Sequence, residues 1–266
     1  MIKLWEKTPL YDETFGQEEP FLKVYPVEKK EKTGAVIVCP GGAYRHHAPH
    51  EKEPIARWIN TLGMTSFVLT YRVAPYTYEA ITSDVLRAIQ QVRYNADKYN
   101  IDPDKIAVLG FSAGGHLASS AAVHFSDFEI AGEKDEVSKM SPRPDAAVLC
   151  YPVISGDEDI THADTFKRLL GEKSEDKKMR EFFSNEKQIK DDTPPTFIWH
   201  TAEDSIASAL NSIAFAKGLR EKKIPFELHI FPHGGHGLTL GVEWGNDRIS
   251  EWTQSCKNWF KTIKFI

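Results

Sequence analysis

The sequence predicts an α/β fold with a mostly parallel sheet between two layers of helix, and three observations carry that prediction. Short, almost wholly apolar runs recur along the chain: AVIVC at 35–39, IAVLG at 106–110 and AAVLC at 146–150. They lack the in-out alternation of a half-exposed strand and read as strands buried on both faces. Stretches with a helical apolar period separate them, which is the signature of strand–helix–strand crossovers. One of these crossovers, IAVLGFSAGGH at 106–116, changes from strand to helix through a glycine-flanked turn with Ser112 at its apex.

Taken in order, residues 1–20 are polar and predict an irregular arm. Residues 21–27 (FLKVYPV) alternate like an edge strand, where Pro26 is tolerated. The strand 35–39 ends at Pro40-Gly41-Gly42, and 55–62 predicts a helix with Gly63 as its stop. Residues 66–71 (SFVLTY) form the next strand, and 78–99 carry Ile81, Val85, Ala88, Ile89 and Val92 at helical spacing. After the Ser112 turn and its helix come the strand 146–151, then a charged stretch at 155–192 with helical pieces at 166–170 and 179–183. That stretch reads as a cap inserted into one domain spanning 1–266. The strand 196–200 (TFIWH), a helix over 206–219, the strand 226–231 (FELHIF) and a closing helix over 249–263 complete the series. In such a sheet, functional residues gather in loops at the carboxyl ends of the strands.

A chain of 266 residues with 41% hydrophobic and 27% charged residues can bury a large core. Its net charge of −5, with Lys and Arg interleaved among Asp and Glu, gives no basic face for nucleic acid. No apolar run approaches a membrane span, and MIKLWEKTPLYDE lacks the apolar core of a signal peptide. Cys39, Cys150 and Cys256 are odd in number, far apart and without zinc spacing. The expectation is a reducing, cytoplasmic setting.

Gly110-Phe111-Ser112-Ala113-Gly114 has the spacing of a nucleophile elbow. A serine on so sharp a turn brings its neighbours into close approach, and glycine two residues away on each side removes the clash. The helix that follows aims its N-terminus at the serine and favours negative charge there. A structural glycine turn with a helix-capping serine is the plainer alternative.

A serine hydroxyl needs a base, and the base needs an orienting carboxylate; here the expected chain order is serine, acid, histidine. Asp204 follows the strand 196–200 in the loop TAED, with Glu203 as its rival and a helix N-cap as its plainer use. Asp191 and Asp192 lie at the wrong end of that strand. His236, in HGGHG after the strand 226–231, is the expected base; His233 is its rival, and His229 within the strand reads as structural. Gly42 and Ala43, after the strand 35–39, and Ala113, after the serine, are the expected oxyanion N–H donors. His46, His47, His50 and Glu51 (HHAPHE) form a possible metal cluster, but their spacing matches no standard site and Pro49 breaks any helical register. Some of them, His46 and His47, are read instead with Tyr44 as lining a substrate pocket. No metal and no cofactor are expected.

Together CPGGAY, YRVAP, GFSAGGHLA, RPDAAVLCYPVIS, HTAED and ELHIFPHGGHG resemble the α/β-hydrolase esterases of the acetyl xylan esterase type, kin of the dienelactone-hydrolase-like and hormone-sensitive-lipase-like groups. The similarity runs from about residue 35 to the end, apart from much of the cap. It implies an α/β-hydrolase fold, Ser112, Asp204 and His236 as a triad, and hydrolysis of small esters, often acetyl groups on sugars. Two departures stand out. Ala43 replaces a third glycine of the oxyanion loop, which leaves its backbone N–H in place. Ser205-Ile206-Ala207-Ser208 stands where Val-Pro usually follows the acid. The alternatives are a serine peptidase or amide hydrolase on this scaffold, or a binding protein without turnover. Oligomeric state is not legible.

Overall fold

The computed structural model of the protein describes residues 1–132, 134–241 and 247–266. Its centre is an eight-stranded sheet in the order β1-β2-β4-β3-β5-β6-β7-β8. The strands are β1 (Ile2–Lys3), β2 (Phe21–Tyr25), β3 (Thr33–Cys39), β4 (Thr65–Thr70), β5 (Ile101–Phe111), β6 (Ala146–Cys150), β7 (Thr196–Thr201) and β8 (Phe226–Phe231). From β4 through β3 to β8 every neighbouring pair is parallel, while β1 and β2 join antiparallel at one edge. The helices are α1 (Glu53–Thr61), α2 (Tyr78–Tyr94), α3 (Ala113–His124), α4 (Ala163–Leu170), α5 (Lys177–Phe182), α6 (Leu210–Glu221) and α7 (Asp247–Thr262).

Strand alternation sorts the apolar residues into two cores. Ile37, Cys39 and Val108 face a layer built on α2, α3 and α6, through Ile81, Val85, Leu117, Phe215 and Leu219. Val36, Val38, Ala107 and Leu109 face α1 and α7, through Ile55, Ile59, Trp252, Cys256 and Phe260. The apolar runs carry no polar alternation because both faces are covered.

The N-terminal segment departs from the irregular arm expected of it. Ile2 and Lys3 pair with Leu22 and Phe21, Leu4 and Trp5 are buried, and the Trp5 ring lies against the guanidinium groups of Arg72 and Arg87. Two residues of strand are too short for a period to register in sequence. Arg72 and Asp84 form a wholly buried ion pair at 2.6 Å, and Arg72 also donates to the Pro9 carbonyl. The expected helix over 78–99 stops at Tyr94, with a 3₁₀ turn at Asp97–Tyr99.

The stretch 155–192 is packed onto α2 and α3 rather than standing free. Phe166, Leu169, Leu170 and Phe183 are buried in the same core as α2 and α3. Tyr44 donates its hydroxyl proton to His116 Nδ1 at 2.9 Å, and His116 Nε2–H donates to the Phe183 carbonyl at 2.9 Å. Asn185 Nδ2 donates to the His116 carbonyl and to Ser119 and Ser120. No helix among the described residues is long and apolar enough to cross a membrane.

Candidate active site

β5 ends at Phe111, α3 begins at Ala113, and Ser112 between them has φ 52° and ψ −120°. Such a backbone is costly for a residue with a Cβ and persists only where the surroundings hold it. Three backbone bonds do so here: Ser112 N–H donates to the Cys150 carbonyl, and the Ser112 carbonyl accepts from His116 and Val153. A Cβ on Gly110 would stand 2.0 Å from the Gly114 carbonyl oxygen, and one on Gly114 would stand 2.1 Å from the Cys39 carbonyl oxygen. The glycine spacing is therefore a packing requirement of the turn and of its seat on β3.

His236 Nε2 is 2.8 Å from Ser112 Oγ, and His236 Nδ1 is 2.6 Å from Asp204 Oδ2. The three residues follow β5, β7 and β8, which are separated by crossovers in sequence and lie on one side of the same sheet, with β6 between β5 and β7. With Nδ1–H donating to the carboxylate, Nε2 is left as the acceptor for the serine proton. Asp204 Oδ1 accepts the N–H groups of Ile206 and Ala207, each at 2.9 Å. The carboxylate thus closes a local turn, and the helix expected from residue 206 begins only at Leu210, with Ala209 as its cap. Burial opposes the charge on Asp204. Donation from His200, His236 and the Ala207 N–H outweighs it and holds the carboxyl well below the usual carboxylate range.

The rival residues pair with each other instead. His233 Nδ1 lies 2.8 Å from Glu203 Oε1 on the surface, and Gly234 N–H donates to Glu203 Oε2. His229 Nε2 lies 2.6 Å from Glu227 Oε1, two residues away in β8.

The loop after β3 lies against the elbow. A Cβ on Gly41 would stand 2.7 Å from the Phe111 carbonyl oxygen and 3.0 Å from Ser112 Cβ. Gly42 has φ 125°, a conformation open to glycine, and Ala43 and Tyr44 follow at φ 52° and 54°. Among the described residues the N–H groups of Gly42, Ala43 and Ala113 donate to no protein acceptor. Ala113 follows the serine in the chain, and Gly42 and Ala43 follow Gly41, which packs against it.

The residues expected to line a pocket divide. Tyr44 is fully buried and spends its hydroxyl on His116, so its side chain is structural and not a substrate contact. His47 packs edge-on against Tyr71, with ring centroids 4.5 Å apart, and burial lowers its pKa to about 4. His46 is exposed. The HHAPHE residues do not converge: Glu51 is buried and bonded to Gly41 N–H and the Tyr151 hydroxyl, while His50 Nε2 is 3.9 Å from it. Among the described residues no group of three His, Cys, Asp or Glu could hold a metal ion.

Sequence reasoning assigned no role to three residues at the site. His200, at the end of β7, puts Nε2 3.3 Å from Asp204 Oδ2 while that nitrogen also meets the Ala207 carbonyl at 2.8 Å. Tyr151 lays its ring edge-on to His236 at 5.0 Å. His162, at the start of α4, is lowered in pKa chiefly by burial, and both His236 and Asp204 are close enough to act on its charge. The histidine four residues before Asp204 was a readable signal; the other two become neighbours only through the fold.

The BD-FAE family model matches residues 22–219. The chain belongs to the BD-FAE family. Two curated proteins are similar to most of the chain. It is 41% identical over 242 residues to endo-1,4-beta-xylanase B of Butyrivibrio fibrisolvens, covering 89% of this chain and 37% of that protein. It is 30% identical over 237 residues to an acetylxylan esterase of Xylanibacter ruminicola, covering 86% of this chain and 45% of that protein. The chain therefore spans less than half the length of these relatives. Among solved structures, the acetyl ester-xyloside bifunctional hydrolase of Caldicellulosiruptor lactoaceticus superposes with a TM-score of 0.93 at 45% identity, covering all of this chain and 97% of that one. The fold of this BD-FAE member is the α/β-hydrolase fold.

Proposed function

We propose that the protein is a serine esterase that removes short acyl groups, acetyl foremost, from a carbohydrate. The observation that carries this reading is the unbroken line from Ser112 Oγ to His236 to Asp204, at 2.8 and 2.6 Å. Each link has a chemical task. His236 Nε2 takes the Ser112 proton as Oγ attacks the ester carbonyl, and Asp204 keeps the imidazole in the tautomer that can accept it. The N–H groups of Gly42, Ala43 and Ala113 receive the oxyanion, with the N-terminus of α3 adding its dipole. His236 then returns the proton to the leaving alcohol. Water, activated by the same imidazole, releases the acyl group and frees Ser112. Every proton is moved by the protein's own residues. The carbohydrate assignment is supported by the names borne by the xylan-linked relatives and by 45% identity to an acetyl ester-xyloside hydrolase.

Ser112→Ala tests the reading. The expected result is a folded protein with turnover of nitrophenyl acetate reduced roughly 10⁵-fold and no labelling by a fluorophosphonate probe. A variant that keeps most of its turnover removes the serine mechanism. Absence of both labelling and turnover in the wild type would favour a binding protein on this fold, and labelling without ester turnover would favour a peptidase or amide hydrolase.

A further inference from the structure

Beneath the loop after β3 lies a carboxylate for which the proposed mechanism has no task. Glu51 is 2% exposed. Its Oε2 accepts the Gly41 N–H at 2.6 Å and its Oε1 accepts the Tyr151 hydroxyl at 2.7 Å. Tyr151 in turn accepts the Thr239 N–H at 3.2 Å, and the Thr239 carbonyl accepts the Trp252 indole N–H at 2.8 Å. Because Thr239 occupies the tyrosine oxygen as a donor, the tyrosine proton is committed to Glu51. Both carboxylate oxygens are then met by donors, so the ionised form is the one that satisfies every partner. Burial raises the carboxyl on balance, and the Tyr151 and Gly41 donors act against it.

Through its two direct partners, Gly41 and Tyr151, and through Tyr151 to Thr239, this side chain reaches three strand ends. Gly41 follows β3 and lies against Ser112; Tyr151 follows β6 and sets its ring edge against His236; Thr239 belongs to the loop that carries His236. Tyr151 and Thr239 both hold positive φ, 36° and 47°, which non-glycine residues keep only under constraint. A buried charge placed for stability alone is a poor choice, since an apolar side chain of similar size serves as well. We propose that Glu51 is a positioning residue that locks the oxyanion loop and the histidine loop onto one frame, so that Gly42, Ala43 and His236 keep a common registration on Ser112. The inference rests on the esterase reading for its catalytic consequence, but not for the tie between the loops.

Two measurements on Glu51→Ala, Glu51→Gln and Tyr151→Phe test it. The first is hydrogen–deuterium exchange on peptides covering residues 40–48 and 234–241. Both peptides should gain exchange together in Glu51→Ala, and only the second in Tyr151→Phe. A response confined to 40–48 in Glu51→Ala would overturn the tie, whatever the protein catalyses. The second is the separation of kcat from KM on nitrophenyl acetate. Glu51→Ala should lower kcat about 100-fold with KM within about threefold, because misplaced groups slow the chemical step without removing a substrate contact. Glu51→Gln should recover much of that loss, since its amide oxygen still accepts the Gly41 N–H; Tyr151→Phe should lose about tenfold in kcat. Equal losses in the Gln and Ala variants, a kcat within twofold of wild type, or a loss borne by KM would overturn the positioning role. If Glu51→Ala does not fold, the Gln and Phe variants carry the same distinction. Absence of turnover in the wild type would count against the esterase reading, and the exchange result would stand apart from it.

Discussion

Asp204 collects four partners within one loop: the ring nitrogens of His200 and His236 and the N–H groups of Ile206 and Ala207. That concentration of donors distinguishes it from Glu203, its neighbour in sequence, whose carboxylate is exposed and shared with His233. Asp204→Asn should lower kcat by about 10³- to 10⁴-fold, because the amide favours the imidazole tautomer that cannot accept the serine proton. Glu203→Gln should change kcat less than twofold, as an exposed ion pair contributes little. If steady-state kinetics gave the reverse order, the acid would be Glu203 and the His233 loop would have to rearrange. His233→Asn against His236→Asn makes the same comparison at the base. Much of this was legible before any coordinates. Chain order and strand ends singled out Ser112, Asp204 and His236, and the fold brings these three side chains into one hydrogen-bonded line. Glu51 and Tyr151 were opaque, since each acquires its meaning from being buried against a loop about a hundred residues away in the other's sequence neighbourhood.

At the level of elements, apolar period located β3 to β8 and the long helices, and it failed where the physics is not periodic. β1 is two residues long, and the start of α6 is displaced to Leu210 by the Asp204 turn. The charged composition of 155–192 suggested a cap but not its anchorage, which runs through His116. That histidine is fully buried, accepts from Tyr44 and donates to the Phe183 carbonyl, and burial lowers its pKa to about 4. Only the neutral ring satisfies both partners, since protonated Nδ1 can no longer accept the Tyr44 proton. The folded pKa lies below the ordinary value of 6.5. The contribution is therefore complete above about pH 6.5 and is lost as pH falls through 4, up to about 3 kcal/mol. His47 and His124, also lowered to about 4, act in the same direction. Urea unfolding at pH 7 and pH 4.5 should give a smaller pH difference for His116→Gln than for the wild type. Equal differences would mean that His116 does not couple protonation to cap docking.

Over the whole molecule, the apolar surface is spent on the two cores that sandwich the sheet, and this bears on which ester fits. The cap's main apolar residues, Phe166, Leu169, Leu170 and Phe183, are buried in docking and offer little to a substrate. Two clefts of about 600 and 640 Å³ lie elsewhere: one is lined by charged cap residues such as Asp157, Glu158, Glu175 and Lys187, the other by Trp5, Phe125 and Phe128. The hydrogen-bonded line through Ser112, and not cleft size, marks the site. Near Asp204, Ile206, Leu210 and Ile213 stay exposed on the start of α6 and the turn before it. An acyl chain laid into an apolar slot would gain about 0.8 kcal/mol, or about fourfold in kcat/KM, for each methylene buried. A site without such a slot gains nothing from added methylenes and must still accommodate their volume. We expect kcat/KM on nitrophenyl esters to be highest for acetyl and to fall at least tenfold by octanoyl. A rise of several-fold per pair of methylenes, peaking at octanoyl or beyond, would reverse the short-acyl reading. It would also assign the acyl chain to the apolar surface of Ile206, Leu210 and Ile213, and Leu210→Ser should then lower the octanoyl rate while leaving the acetyl rate in place.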